Sequence, residues 1–190
     1  MANLRLFIAA EIPKEVKSGL EELIKSLSAS GDGVKWVRSG SIHLTLKFLG
    51  NVKEEELDKI KKAGETGLSG IIGGDGIQLS IEGLGTFPGG KRIRVIWIGM
   101  KGELDRLEMV RDALNESFYK LGFPKEERDF RPHLTLGRVK GRVSRETIEK
   151  IEDMKDIVLG DIGVSRLHLF KSDLKPTGAV YTSLAYYPFE

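Results

Sequence analysis

The chain has 190 residues, of which 40% are hydrophobic and 31% charged, with a formal net charge of only +2. This length can bury a core in one compact unit or in two small lobes. So small a net charge excludes a protein coated with cations for bulk nucleic-acid binding, and the absence of cysteine excludes disulfides and thiolate metal sites. No segment resembles a signal peptide or a membrane span, so we expect a cytoplasmic monomer that does not associate with membranes.

Hydrophobic periodicity predicts a chain in which strands and helices alternate. Several strands follow one another through short turns, which favours antiparallel pairing and an α+β fold over a doubly wound parallel sheet. In chain order we predict strand 4–12, helix 13–27, strands 34–37 and 42–50, helix 53–67, strands 77–87 and 93–100, helix 104–121, strand 133–139, helix 144–155, and strands 164–171 and 179–187.

One tetrapeptide occurs twice: H-L-T-L begins at His43 and again at His133, although the chain has only 3 histidines. Each copy follows a strand and a helix and precedes another charged helix. This outline indicates an internal duplication. We therefore predict a bilobal α+β fold over residues 1–190, in which each lobe has an antiparallel sheet with helices on its outer face and a cleft separates the lobes.

Alternation along a strand places His43 and Thr45 on one face, about 7 Å apart, and Leu44, Leu46 and Phe48 on the other. His133 and Thr135 repeat the arrangement. Two such strands that face one cleft would present two imidazoles and two hydroxyls, a set suited to displacement at phosphorus without a metal. One imidazole removes a proton, the other donates one, and the hydroxyls bind phosphoryl oxygens. The alternative is two ordinary core strands whose histidines are structural.

Other side chains near the motifs are candidates for substrate binding. Lys47 and Arg131 are predicted on the motif faces, where a cation would bind phosphate, although Lys47 could equally be a cation at the rim. Phe130 and Trp36 are candidates to stack on a base. Trp97 and His168 are predicted to be structural. Three further cations are candidates for tracking an RNA backbone, with simple solvation as the alternative: Lys91, Arg92 and Arg94.

The motifs and their surroundings resemble the LigT-like branch of the 2H phosphoesterase superfamily, the RNA 2′,3′-cyclic phosphodiesterases or 2′-5′ RNA ligases. The resemblance rests on segments in family order along nearly the whole chain: R-L-F-I-A-A-E-I-P, V-K-W-V, H-L-T-L-K-F-L-G, G-L-G-T-F-P, V-I-W-I-G, F-R-P-H-L-T-L-G-R-V and L-F-K-S-D-L-K-P-T-G-A-V-Y.

The resemblance implies hydrolysis of a terminal 2′,3′-cyclic phosphate of RNA, such as a tRNA fragment, to a 2′-phosphate, with no metal or other cofactor. It implies that His43 is the proton donor, that His133 is the proton acceptor, and that Thr45 and Thr135 bind the phosphate. Three alternatives stay open at this point: 2′-5′ RNA ligation as the main role, a non-catalytic module that binds RNA ends, and a metallohydrolase, which the shortage of ligands disfavours.

Overall fold

The computed structural model describes residues 3–28, 32–71, 73, 75–89, 92–126, 129–176 and 178–189. Its strands form two antiparallel sheets, and four α-helices accompany them, so the predicted α+β class is confirmed. Among the described residues, no helix is long and apolar enough to cross a membrane.

The strands are β1 (Asn3–Glu11), β2 (Val34–Trp36), β3 (His43–Lys53), β4 (Ile77–Phe87), β5 (Val95–Gly102), β6 (Leu134–Val139), β7 (Val158–Val164), β8 (Arg166–Lys175) and β9 (Gly178–Pro188). The helices are α1 (Lys14–Leu27), α2 (Leu57–Leu68), α3 (Leu104–Tyr119) and α4 (Arg145–Asp153). Ser144 caps α4, because its hydroxyl accepts a hydrogen bond from the Thr147 amide at 3.1 Å. Strand β7 was not predicted.

The two lobes are not the two halves of the chain. The four-stranded sheet has the order β3-β1-β8-β9, and the five-stranded sheet has the order β2-β6-β5-β4-β7. Each sheet thus contains strands from both halves. Helices α2 and α3 pack with the four-stranded sheet, and α1 and α4 pack with the five-stranded sheet. This exchange ties the halves together, because neither sheet can be completed without strands from the other half.

Each motif strand contains a β-bulge at the last leucine of its H-L-T-L segment. In the pairing of β1 with β3, Ala9 lies opposite Thr45 and Ile8 lies opposite Lys47, so Leu46 has no partner. In the pairing of β5 with β6, Trp97 lies opposite Thr135 and Ile96 lies opposite Gly137, so Leu136 has none. A bulge adds one residue and reverses the alternation beyond it. The reversal decides where Lys47 and Phe48 of β3 and the residues of β6 after Leu136 point, whereas a second bulge at Leu49 reverses the alternation of β3 again.

The sheet faces opposite the motif histidines form the main hydrophobic core. Leu44, Leu46, Leu134 and Leu136 are all buried in it, as the alternation predicted. Phe48 is different: it is 52% exposed and its ring lies 5.9 Å from that of Phe7. Its predicted place in the core was wrong, because the bulge at Leu46 turns it to the face of the histidines.

Candidate active site

Both motif histidines are held in the same way by the backbone. Nδ1 of His43 lies 2.9 Å from the carbonyl oxygen of Ser41, and Nδ1 of His133 lies 2.7 Å from that of Arg131. A carbonyl only accepts, so Nδ1 carries the proton in each ring. Nε2 is therefore the nitrogen that gains or loses a proton in each imidazole, as acid–base catalysis requires.

An aromatic cluster surrounds His43 on the open face of the four-stranded sheet. The His43 ring lies 4.7 Å from Phe7 and 4.9 Å from Tyr181, with Phe170 at 6.5 Å. Phe7 and Phe170, with Ala9, form a small buried cluster separate from the main core. This packing restricts the orientation of the imidazole and removes much of the water around it.

A second aromatic pair lies beside His133 on the five-stranded sheet. Phe87 and Trp97 stack at 4.9 Å, and their rings lie 5.1 and 6.3 Å from that of His133. The Trp97 ring covers Gly85, where a Cβ atom would come within 2.4 Å of it. Each imidazole is thus flanked by aromatic rings that the adjacent strands supply.

The two motif strands lie next to each other. Strands β3 and β6 are in contact, although they belong to different sheets. Burial lowers the pKa of His43, and the positive charges of Lys17 and Arg138 lower it further, against the opposing effect of the Ser41 carbonyl. Arg138 lies on the second motif strand, so a cation from one half-site acts on the imidazole of the other. Burial raises the pKa of Tyr181, and the charge of Arg138 opposes this by lowering it.

Thr45 and Thr135 are half-buried on the faces of their histidines. Within the described part of the chain, neither hydroxyl has a hydrogen-bond partner. Half-buried hydroxyls without protein partners are suited to donate to a ligand oxygen. Since Thr45 and Thr135 occupy equivalent positions before their bulges, they present matching donors from the two sides.

Lys47 does not lie on the predicted face. The bulge at Leu46 turns its side chain into the core, where it is 1% exposed, and Nζ donates to Oδ1 of Asn115 at 2.8 Å and to the carbonyl oxygen of Pro124 at 2.7 Å. Burial lowers its pKa. Lys47 thus joins the first motif strand to α3 and to the segment that leads to the second motif, and its predicted contact with phosphate was wrong.

Replacing Lys47 by methionine is expected to lower the free energy of unfolding by about 1–3 kcal/mol, because the buried Asn115 oxygen and the partly buried Pro124 carbonyl oxygen lose their donor. Urea denaturation of both proteins measures the difference. Lys53→Met is the matched control: it lies on the same strand with its side chain 62% exposed, so we expect a change within about 0.5 kcal/mol. If Lys47→Met were as stable as the parent, the cost of burying the ammonium group would equal the contribution of its two hydrogen bonds.

Trp36 and Phe130, the predicted candidates for base stacking, are half-buried and pack against the protein. Trp36 pairs with Gly137, which the second bulge turns to the core side. The Trp36 ring lies over Gly137, so a Cβ atom at that glycine would come within 2.9 Å of the ring. The Phe130 ring packs against the core and under the guanidinium of Arg111, 5.2 Å from its centroid. Both rings are engaged with the protein, so we do not assign either to base stacking.

Four further predicted positions have clear locations. The Arg131 side chain is 71% exposed, and its carbonyl orients His133. His168 lies on the same sheet face as His43, with Nδ1 2.9 Å from Oγ of Ser183 and its ring stacked on Phe170. Arg92 and Arg94 are exposed before β5, and Lys91 lies outside the described residues.

The sequence did not reveal Arg138 or the aromatic residues beside the histidines. Arg138 stands three residues after Thr135, an odd spacing that simple alternation assigns to the core side, and only the bulge at Leu136 reverses this. Phe7, Phe170 and Tyr181 come from strands whose order in the sheet no local pattern encodes. The one feature of the sequence that could have pointed to them is that they lie in segments that resemble the family.

Comparison with known proteins decides the family. A family model described as "LigT like Phosphoesterase" matches residues 10–97 and again residues 98–181. The chain belongs to the LigT-like phosphoesterase family. It is 36% identical over 183 residues to a protein of Archaeoglobus fulgidus, with 95% of this chain and 98% of the relative covered. It is 33% identical over 183 residues to one of Methanothermobacter thermautotrophicus, with 96% and 97% covered. Both relatives are named RNA 2′,3′-cyclic phosphodiesterase.

Solved structures of LigT-like proteins have the same fold. A protein of Thermus thermophilus superposes with a TM-score of 0.78 at 28% identity, and 97% of each chain is covered. Escherichia coli LigT, solved with 3′-AMP, gives 0.77 at 21% identity, with 99% of each chain covered. The two-lobed architecture is therefore that of the LigT-like family.

Proposed function

We propose that this LigT-like chain is an RNA 2′,3′-cyclic phosphodiesterase that opens the cyclic phosphate to a 2′-phosphate by two-histidine acid–base catalysis, without a metal. The observation that carries the proposal is the pair of H-x-T strands that meet from two sheets, each with its imidazole Nε2 as the titrating nitrogen. The shared name of the relatives, at 33% and 36% identity over nearly the whole chain, supports the same activity.

In the proposed reaction the cyclic phosphate lies between the two motif strands. His133 Nε2 takes the proton of a water molecule that attacks phosphorus, and His43 Nε2 gives its proton to the leaving O3′. Thr45 and Thr135 donate hydrogen bonds to the non-bridging oxygens, where negative charge accumulates. Arg138, which already acts electrostatically on His43, adds a positive charge that stabilises the same oxygens.

The proposed direction of proton transfer has an electrostatic consequence. Since burial and the cations lower the pKa of His43, the free protein disfavours the protonated form that a donor needs. A bound phosphate brings a negative charge beside Nε2 and favours that form. We infer that substrate binding itself raises the pKa of His43 and prepares it as the acid.

This consequence predicts the pH dependence of the rate. A donor must be protonated, so kcat/KM, which reflects the free enzyme, should fall as pH rises through the lowered pKa of His43, below the ordinary histidine value of about 6.5. The corresponding fall in kcat, which reflects the enzyme with substrate bound, should occur at higher pH. If His43→Asn instead removed the fall in rate at low pH, His43 would be the base and His133 the acid.

The proposed function is tested by product analysis with a short RNA that ends in a 2′,3′-cyclic phosphate. The expected product is a 2′-phosphate, formed at the same rate with and without excess chelator. A 3′-phosphate product would contradict the proposed leaving group, and binding without turnover would identify a non-catalytic RNA-end module. Loss of the activity in chelator, with recovery on addition of a metal, would contradict the metal-free mechanism.

A further inference from the structure

A cavity rich in arginine lies at the end of the second motif strand, outside the site described above. Its volume is about 370 Å³. Its lining comes from the start of β5, from the end of β6 with the segment that follows it, and from α4: Arg92, Ile93, Arg94, Val139, Gly141, Arg142, Val143 and Ile148. None of these described residues carries a carboxylate.

The three guanidinium groups of the cavity have no carboxylate partner among the described residues. Within the described ranges, no salt bridge includes Arg92, Arg94 or Arg142. All three residues are exposed. Like charges in one concave site repel each other, and an anion removes that repulsion. Arginine is also the cation whose planar fork of donors matches the oxygens of a phosphate.

The cavity adjoins the active cleft along β6. Val139 of the lining directly follows Arg138 of the cleft, and its amide donates to the carbonyl oxygen of Arg94 at 2.9 Å. Val139 lies four positions beyond Thr135 along the strand, a distance of about 13 Å. Arg138 pairs across the sheet with Lys35, and Lys140 is exposed beyond it. Positive charge is thus continuous from the cleft, over the strand end, to the cavity.

We propose that this cavity binds a backbone phosphate of the RNA strand, a short distance 5′ of the cyclic phosphate in the cleft. The proposal rests on the proposed function, since it describes how the same substrate continues beyond the reacting end. The guanidinium groups would bind the phosphate oxygens. The apolar wall, which includes Ile148 at 40% exposure, would contact the sugar.

Such a site makes the enzyme prefer oligonucleotides. A mononucleoside 2′,3′-cyclic phosphate fills the cleft alone, whereas an oligoribonucleotide also reaches the arginines. Affinity for the longer substrate should decrease with salt, with a slope of about −0.7 in log K against log salt for each neutralised phosphate of a single strand. The chain as a whole carries only +2, so bulk attraction is small, and the change in slope when the arginines are removed reports this local patch.

The test is the double variant Arg92→Gln, Arg142→Gln in the whole 190-residue chain. We expect kcat/KM for an oligoribonucleotide with a cyclic end to fall about 10-fold or more, and the salt slope to become shallower by about 0.7, the value for one phosphate. Hydrolysis of the mononucleoside cyclic phosphate should change less than about 2-fold. The matched control is Lys59→Gln, Lys62→Gln on α2 in the other lobe, where two exposed cations are lost and neither substrate should be affected.

Two outcomes overturn the proposal. An equal loss with both substrates would show that the arginines act on the cleft or the fold, and no loss with the oligoribonucleotide would show that the cavity does not bind RNA. Binding is also measured without turnover, by fluorescence anisotropy with a labelled oligoribonucleotide that ends in a 3′-hydroxyl.

If the unmodified protein hydrolyses neither substrate, the proposed function fails, and the difference in binding between the parent and the double variant still shows whether the cavity binds RNA. Inorganic phosphate as competitor distinguishes an RNA site, which resists millimolar phosphate, from a general anion site, which does not.

Discussion

Replacing His43 or His133 by alanine is expected to lower kcat for hydrolysis of a 2′,3′-cyclic-phosphate RNA by about 10²- to 10⁴-fold. Each ring supplies one of two proton transfers, and its Nε2 has no substitute among the described residues of the cleft. Because the two act as a unit, the double variant should lose little more than either single variant. Single-turnover kinetics with saturating enzyme measure the chemical step directly.

The histidine variants need a folding control, because His43 packs against Phe7 and Tyr181. Asparagine is the second substitution at each site: its amide can donate to the carbonyl that holds Nδ1, but it cannot titrate. His168→Ala is the matched control, a histidine on the same sheet face without a following threonine, and should keep most of the activity. Near-normal rates in either His43→Asn or His133→Asn, with the fold intact, would exclude the two-histidine mechanism.

Replacing Thr45 or Thr135 by valine is expected to lower kcat by about 10²- to 10³-fold, the usual cost of removing one donor from a site of developing charge. Valine keeps the branched shape and loses the hydroxyl, so the strand should be preserved. A hydroxyl that acts mainly in the transition state affects kcat more than KM. Steady-state measurements of both constants make this distinction.

Serine restores a hydroxyl at the same position, so Thr45→Ser and Thr135→Ser should recover most of the rate. Thr182→Val serves as the control, since this residue is an exposed strand threonine on β9. A large rise in KM with kcat unchanged would mean that the hydroxyls bind the ground state and the transition state equally. A normal kcat in both valine variants would remove the threonines from the mechanism.

Local sequence determined the parts of the site that depend on neighbours within a few residues. The alternation of side chains along a strand places His43 and Thr45 on the face opposite the buried Leu44, and the same alternation places His133 opposite the buried Leu134. Hydrophobic periodicity located all four helices and eight of the nine strands that the structure describes. It missed β7 (V-L-G-D-I-G-V), where two glycines interrupt the apolar pattern and the strand is defined by its pairing with β4.

Tertiary structure decided what depends on pairing between distant segments. The bulges at Leu46 and Leu136 exist only relative to the partner strands β1 and β5, and they sent Lys47 to the core and Arg138 to the cleft, against the simple alternation. The order of strands in each sheet, which mixes both halves, decided which aromatic rings flank each histidine. The sequence by itself therefore determined which residues could perform the chemistry. Only the folded chain decided which cation stands beside them, because register and strand order are set by contacts between residues far apart in the sequence.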